Sequence, residues 1–499
     1  MDLLNQESKS RAKSEFQAII LSGMGSQLGP LIASHGDDPT PKALLPVHNK
    51  PLVSYGLSWL EEANIKEALI VCPPSHVAPL TDHIQATSPN LKVDIKAFEP
   101  DMDGPISTVS ILRKIANRIH SDFVLLSCDF VPSLNMKLSS LLNMWRVDMT
   151  GMVAASLFYE ASDEAQKRKG KPPPTVTYRE GDILHVSYDN EKQAQIPMHL
   201  LTKFGTCRMT RKLVDSHVYI FKKTVLDVLP LVPSMKSIKK DLIPLLCTLQ
   251  YSRTKRRELS NVLVHPESIT TAENVQEKGS ISLMTALQYS TTQSLEIKKT
   301  AHVQRPQTPT PAGKAPWGSS EDSSEGNSDS EPEEEDPVFV PSLRCGLIIQ
   351  KRSKDEICGR VDTLASYREI NLSLLREGSL DARGGRDGID PKAQISTNSA
   401  WADSSRIGEG SVVARSSVGQ HCVVGKNVKI INSIIMEHVE IGDWVKIENC
   451  VLSRHTKVGE KTQLKDCESA PGAEIKAGAS YQGVSLDGTE KANIVLGDE

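Results

Sequence analysis

The chain has 499 residues, a formal net charge of −4 and 38% hydrophobic residues. That length exceeds one ordinary domain, and the apolar content is enough for more than one core. The faintly acidic balance excludes a general nucleic-acid binder, which would be strongly basic. The nine cysteines are scattered, with no C-x-x-C pair. This excludes the common zinc and thioredoxin-like patterns and fits a reducing compartment. No run of about eighteen apolar residues occurs, and the opening "MDLLNQESKSRAKSEF" has no apolar signal region. A cytosolic protein without a membrane segment is expected.

From Phe16 onward, strand-like and helix-like patterns alternate. "FQAIIL", "EALIVCP", "DFVLLSCDF" and "GMVAASLFY" are short apolar runs. Between them lie "VSYGLSWLEEANI", "STVSILRKIANRIH" and "LSSLLNMWRV", and the second places Val109, Leu112, Ile115 and Ile119 on one helical face. This alternation predicts a doubly wound α/β sheet, with ligands beyond the carboxyl ends of its strands. The loop at Gly23 and Gly25 and the acid Asp129 both fall at such ends. A basic cluster, "SRTKRRE" at Ser252–Glu258, reads either as a solvated helix end or as a functional surface.

Composition then changes. Between Ser319 and Pro337 nine residues are acidic and none is Lys or Arg. Such a stretch cannot bury enough surface to offset its ordering entropy, so it is expected to be disordered. Its serine–acid pairs read either as a spacer or as targets for an acid-directed kinase. Order resumes with strand-like "LRCGLIIQ", helix-like "DTLASYREINLSLLRE" and a Gly-rich turn at Gly384–Gly388.

The last part repeats. Ile407-Gly408, Val424-Gly425, Ile441-Gly442 and Val458-Gly459 recur every 17 residues. Two further columns keep the period: Val413, Ile430, Ile447 and Leu464, and Val418, Ile435 and Leu452. Within a period the steps are 6, 5 and 6. Three short strands per coil, each sending an aliphatic residue inward, predict a triangular β-solenoid that buries its core by stacking. The predicted core includes Ile407, Val424, Ile430, Ile435, Ile441, Ile447, Leu452 and Val458. The glycine after each inward aliphatic is expected to supply positive φ. Ser416, Ser433, Cys450 and Cys467 form a column that reads as a small-residue ladder, with a disulfide or metal pair as the alternative. Trp401 and Trp444 are either interface anchors or coil filler.

These shifts divide the chain into an N-terminus expected to be flexible (1–14), an α/β domain (15–298), an acidic linker (299–337), a connecting strand–helix segment (338–390), the solenoid (391–485) and a tail (486–499).

"ILSGMGSQLGPL…TPKALLPVHNKPLV" resembles the signature of sugar-nucleotide pyrophosphorylases, matching at Gly23, Gly25, Leu28, Pro41, Lys42, Pro46, Val47, Lys50 and Pro51. "LLSCDF" resembles that family's metal-binding strand end, with Asp129 in the acid position, and "SIKKDLIPLL" the segment with its second acid, here Asp241. The resemblance implies a Rossmann-like nucleotidyltransferase domain. Departures are several. Gln27 stands where the family has an arginine that clamps phosphate. Gly104-Pro105-Ile106 replaces the base-binding segment, and proline has no N–H to donate. Asp215 and His217 in "DSHVYIF" add bulk and charge where a sugar would lie, and Lys239 replaces an acid.

Gly23, Gly25, Gln27, Pro41 and Lys42 therefore read as a vestigial nucleotide loop, and Asp129 and Asp241 as vestigial metal positions. No catalytic residue, metal or cofactor is expected. Asp129 reads more readily as a turn or helix-cap residue than as a ligand, and Lys42 equally as an ordinary exposed lysine; Asp129→Asn is then expected to leave assembly and exchange nearly unchanged.

A degenerate domain of this kind followed by a hexapeptide left-handed β-helix resembles the gamma and epsilon subunits of translation initiation factor 2B. "VLLSCD", "VDSHVYIF", "SIKKDLIP" and "VKIINSIIMEHVEI" resemble the gamma type, and an ending at "ANIVLGDE" without the helical exchange domain of epsilon fits the same expectation. The resemblance implies a non-catalytic subunit of this guanine nucleotide exchange factor. Its partners would be the epsilon subunit directly, the alpha, beta and delta subunits, and initiation factor 2. An active pyrophosphorylase, for GDP-mannose for example, and a nucleotide-sugar-binding regulator are the alternatives.

Overall fold

The computed structural model describes residues 15–259 and 343–486 apart from short stretches, the longest being 34–39, 100–106, 161–173, 189–195, 353–357 and 378–387. The predicted N-terminus at 1–14, the acidic linker and the tail after 486 lie outside the described residues.

The apolar runs of the first part build a ten-stranded sheet. Asp122–Ser127, Phe16–Leu21, Glu67–Cys72 and Lys92–Ala97 are parallel neighbours in that spatial order. Helices Leu52–Glu62, Val77–Thr87 and Thr108–Ile115 run between them in the chain, as parallel pairing requires. Side chains alternate across the sheet. Ile19, Leu69 and Phe123 join one core, and Ala18, Ile20, Ile70 and Val124 join the other. Both faces are covered, as in a doubly wound sheet. Strand order reverses beside Phe16–Leu21: Glu67–Cys72 and Lys92–Ala97 follow it on one side, and the next strand, Asp122–Ser127, is laid down on its other side. A crevice forms at such a switch point, and Gly23 and Asp129 follow the two strands that flank it.

On the other side of Asp122–Ser127 the sheet continues with Leu213–Phe221, antiparallel to both its neighbours, and then Met152–Glu160. The next strand is Arg344–Gln350, parallel to Met152–Glu160 along its whole length. This corrects the predicted connecting segment. "RCGLIIQ" is no connector but an inner strand, with Cys345 and Leu347 buried in one of the two cores. Its apolar character marks a strand, but nothing local tells it which sheet to join.

The second part is a three-sided stack of parallel strands. Two sides have six strands and the third has five. Residues 17 apart pair in register, as Val413 with Ile430, Ile430 with Ile447, and Ile447 with Leu464. The eight predicted core residues are all buried in one cluster. Further inward columns escape an aliphatic pattern because they mix residue types, for example Cys422, Val439, Thr456 and Ala473. The Ser416 column is a ladder of small buried side chains. Ser433 N–H donates to Ser416 Oγ (3.1 Å), Cys450 N–H to Ser433 Oγ (3.1 Å), and Cys467 N–H to Cys450 Sγ (3.4 Å). All nine cysteines are free thiols.

The repeating glycines serve a purpose other than the predicted one. Positive φ falls at the corners, on Gly410, Asn427, Trp444, Lys461 and Gly478 in one column, and not on Gly408, Gly425, Gly442 or Gly459. Those glycines lie where coils touch. A Cβ on Gly408 would come 2.6 Å from the Gly425 carbonyl oxygen, and one on Gly459 2.4 Å from Ala477 N. Coil spacing, not backbone handedness, demands glycine there.

One side of the stack packs on the α/β domain. Its outward-facing Ile434, Met436 and Val451 are buried against Leu28, Leu45, Val47 and Leu52, with Tyr367 and Ile370 of helix Leu364–Glu377. Among the described residues no helix is long and apolar enough to cross a membrane.

Candidate functional site

The site is assembled from four pieces of chain at the switch point. After strand Phe16–Leu21 the loop turns through Gly25 at φ +74°, where a Cβ would press within 3.0 Å of the Lys42 side chain. Gln27 lies exposed on the following 3-10 turn. Pro41, itself buried, precedes the turn that starts at Lys42. Lys42 is buried, and its Nζ donates to Asp129 Oδ2 at 2.5 Å. It is no exposed surface lysine.

Asp129 follows strand Asp122–Ser127 and is 1% exposed. Arg360 meets it from the far end of the chain. Arg360 Nε donates to Oδ1 (3.1 Å) and Nη2 to Oδ2 (2.8 Å), a bidentate fork. The backbone fixes this arrangement, because Gly359–Arg360 pairs antiparallel with Phe130–Val131 and Val361 N–H donates to the Asp129 carbonyl at 2.8 Å. Burial opposes charge on Asp129, but Arg360 and Lys42 outweigh it and hold the carboxyl well below the usual range. Asp129 is therefore the shared anion of two buried cations rather than an incidental turn residue. Asp129→Asn would leave Lys42 and Arg360 without their shared anion.

The network extends from Arg360 to the next strand. Arg360 Nη1 lies 3.1 Å from His217 Nε2. Burial first, then the Arg360 charge, pushes the imidazole down to about 3, so the ring is neutral. An arginine is always a donor, so Nε2 accepts and Nδ1 carries the proton. His217 sits at φ +58° on a bulge between Asp215 and Val218, which turns its ring into the site. Its N–H donates to Asp215 Oδ1 (2.9 Å), and the hydroxyls of Tyr219 (2.5 Å) and Tyr188 (2.9 Å) donate to Oδ2. Burial disfavours charge on Asp215, but His217, Lys239 and Tyr219 prevail, and its carboxyl stays below the ordinary value. Lys239 lies over the Tyr188 ring at 5.0 Å, and burial lowers its pKa. Lys42, Lys239 and Arg360 are thus set against Asp129, Asp215 and Asp362, which also acts on Arg360. The cluster balances its own charge.

Asp241 takes no part. Its Oδ2 accepts from Lys236 N–H (2.9 Å) and Ser237 N–H (2.8 Å), which caps the turn at Ile238–Leu242. No described contact joins it to Asp129, and no group of three or more His, Cys, Asp or Glu among the described residues is arranged to hold a metal. Gly104-Pro105-Ile106 lies outside the described residues. In the basic cluster Arg256 Nε donates to the Leu249 carbonyl at 2.9 Å, as a helix end does.

The second half of the loop signature is also committed within the chain. The Pro46 carbonyl accepts from Tyr367 Oη (2.7 Å), and His48 N–H donates to Asn371 Oδ1 (2.7 Å). Asn49 Nδ2 donates to the Val418 carbonyl and its Oδ1 accepts from Ser417 Oγ, both at 3.1 Å. Pro46–Pro51 therefore clamps the helix Leu364–Glu377 and the solenoid. Arg360 is the site residue that sequence reasoning misses. It lies 231 residues from Asp129, and its only local signal is a lone arginine between a glycine and a valine.

Comparison with known proteins fits this architecture. The Nucleotidyl transferase family matches residues 17–166, and the family described as EIF2B subunit epsilon LbH domain matches residues 388–478. The translation initiation factor eIF2B subunit gamma of Schizosaccharomyces pombe is 30% identical over 264 residues, 51% of this chain and 56% of its own. The Caenorhabditis elegans gamma subunit is 27% identical over 48% of this chain and 59% of its own. The chain is thus similar to eIF2B gamma subunits over about half of its length. The epsilon subunit of Dictyostelium discoideum is also similar, at 25% over 41% of this chain and 29% of its own. The chain spans a little over half the length of the gamma subunits it matches. In fold, the chain is a Rossmann-like nucleotidyltransferase domain followed by a left-handed parallel β-helix.

Proposed function

We propose that this chain is a non-catalytic subunit of translation initiation factor 2B, the exchange factor that converts GDP-bound initiation factor 2 to its GTP-bound form. Its role is to support and position the catalytic epsilon subunit, which it contacts directly, within an assembly that includes the alpha, beta and delta subunits and engages initiation factor 2. It works in the cytosol without a cofactor and without direct contact to nucleic acid or membrane. Pyrophosphorylase activity is lost.

The observation that carries the loss is the bidentate Arg360–Asp129 pair, with Lys42 on the same carboxylate. Phosphoryl and nucleotidyl transfer rests on positioning phosphates and neutralising their charge. A carboxylate that must hold a divalent cation cannot do so while two buried side-chain cations saturate it. The cluster is already neutral and hydrogen-bonded, so a charged substrate would have to break it. Gln27 supplies no cation in compensation.

Two measurements test the reading. Purified protein should make no GTP from GDP-mannose and pyrophosphate with Mg²⁺ present, and measurable turnover would sink the loss of activity. Affinity capture of the tagged full chain should recover epsilon and initiation factor 2 by mass spectrometry, and their absence would sink the subunit role.

A further inference from the structure

The three sides of the solenoid are chemically unlike. The side bearing Ile434 and Val451 is covered by the α/β domain. The side bearing Arg406, Val423, Glu440, Lys457 and Glu474 mixes its charges, and Lys457 reaches Glu474 at 3.8 Å. On the remaining side Lys429 and Lys446 are exposed and lie directly opposite each other on adjacent strands. Like charges in that register repel. Neither lysine, nor the nearby exposed Lys465, makes an ion pair with a described residue. At the rim of the same side Trp444 is 60% exposed, held outward at a corner with φ +64°. The chain as a whole is acidic, so the Lys429–Lys446 pair stands against the average, while Lys465 lies in register with Glu448 on the same face.

We infer that this side of the solenoid, centred on Lys429, Lys446 and Trp444, docks an acidic segment of a partner protein. An opposing pair of carboxylates would relieve the Lys–Lys repulsion, and an exposed indole beside cations is a typical anchor of a protein interface. A nucleic acid fits less well. Glu448 lies two residues from Lys446 on the same strand, and Asp466 follows Lys465. A uniformly charged polyanion would run onto both acids, whereas a peptide can place its carboxylates selectively. The inference stands on the solenoid surface alone and does not require the subunit role proposed above.

The test titrates the full chain with poly-L-glutamate and, separately, with single-stranded oligouridylate, following indole fluorescence at low salt. Polyglutamate should bind, and the Lys429→Glu/Lys446→Glu variant should bind it about tenfold more weakly. Lys457→Glu, on the mixed side, should change affinity less than about twofold. A milder pair, Lys429→Gln/Lys446→Gln, gives the same reading if charge reversal disturbs the fold by circular dichroism. The inference is overturned if wild-type protein ignores polyglutamate, if both double variants bind it as wild type does, or if oligouridylate binds more tightly.

Discussion

In the α/β domain, Lys42 and Asp129 stand where the resemblance to pyrophosphorylases puts a nucleotide site, yet Asp129 is bonded to both Lys42 and Arg360. In the solenoid, Ile430 and Ile447 occupy the positions a 17-residue period gives them, and they fill the core that the period implies. A motif residue can keep its identity and its place while its partner is exchanged, because one arginine from elsewhere is enough to recommit a carboxylate. A repeat cannot be recommitted so easily. Each inward residue is held by the coils above and below, and they by it.

Changes in each region should expose that difference. The largest effect is expected in the solenoid. Ile435→Asp places a carboxylate in a core where Ile435 is 1% exposed, at a cost upwards of about 5 kcal/mol. The full chain should be recovered mainly as insoluble material, and a soluble protein with a wild-type melting curve would contradict the stacked core. Next is Asp129→Asn, which leaves Arg360 and Lys42 without their shared anion. A loss of about 3–5 kcal/mol is expected in urea unfolding. A change below about 1 kcal/mol would mean that the two cations find other partners.

Gly425→Ala should cost about 1–3 kcal/mol, because its Cβ would fall 2.4 Å from Asp443 Oδ1 and 2.8 Å from Gly442 backbone. A melting temperature equal to wild type would return that glycine to the category of turn residue. The smallest effect concerns pH. The folded His217 ring stays neutral down to about 3, whereas the unfolded ring takes a proton near its ordinary value of about 6.5. Acidification thus protonates the unfolded chain first, and stability present above pH ~6.5 is lost as pH falls toward 3. Asp129, also depressed when folded, adds a loss in the same direction below about pH 4. His217→Asn, with a residue that tolerates positive φ, should flatten the slope between pH 6 and 4 by about 1.4 kcal/mol per unit. An unchanged slope would place the His217 ring in contact with water.

What could be read from sequence follows the same division. The parallel core strands, their helices and the coil period were legible because their signals are local or self-repeating. The roles of the repeating glycines were not, since close approach between coils and positive φ leave the same letter. Trp401 and Trp444 could not be told apart either, yet one is buried in the coil core and the other is exposed at a corner. The cleft was legible as a set of substitutions. Its present chemistry was not, because Arg360 and the Pro46–Pro51 clamp depend on contacts across 231 and more than 300 residues. No pattern of spacing encodes such a meeting.

Strand Arg344–Gln350 gives the molecule an order of assembly. It lies inside the sheet, between Asp182–Ser187 and Met152–Glu160, but it is synthesised long after either neighbour. Until residue 350 has left the ribosome, the two halves of the sheet face each other across an unfilled slot with unpaired backbone groups on both edges. Closing that slot pairs strands well over a hundred residues apart in the chain, which slows folding and exposes strand edges while it waits. A nascent chain stalled before this strand should therefore be protected poorly against proteolysis, and one released after the helix Leu364–Glu377 should be protected well.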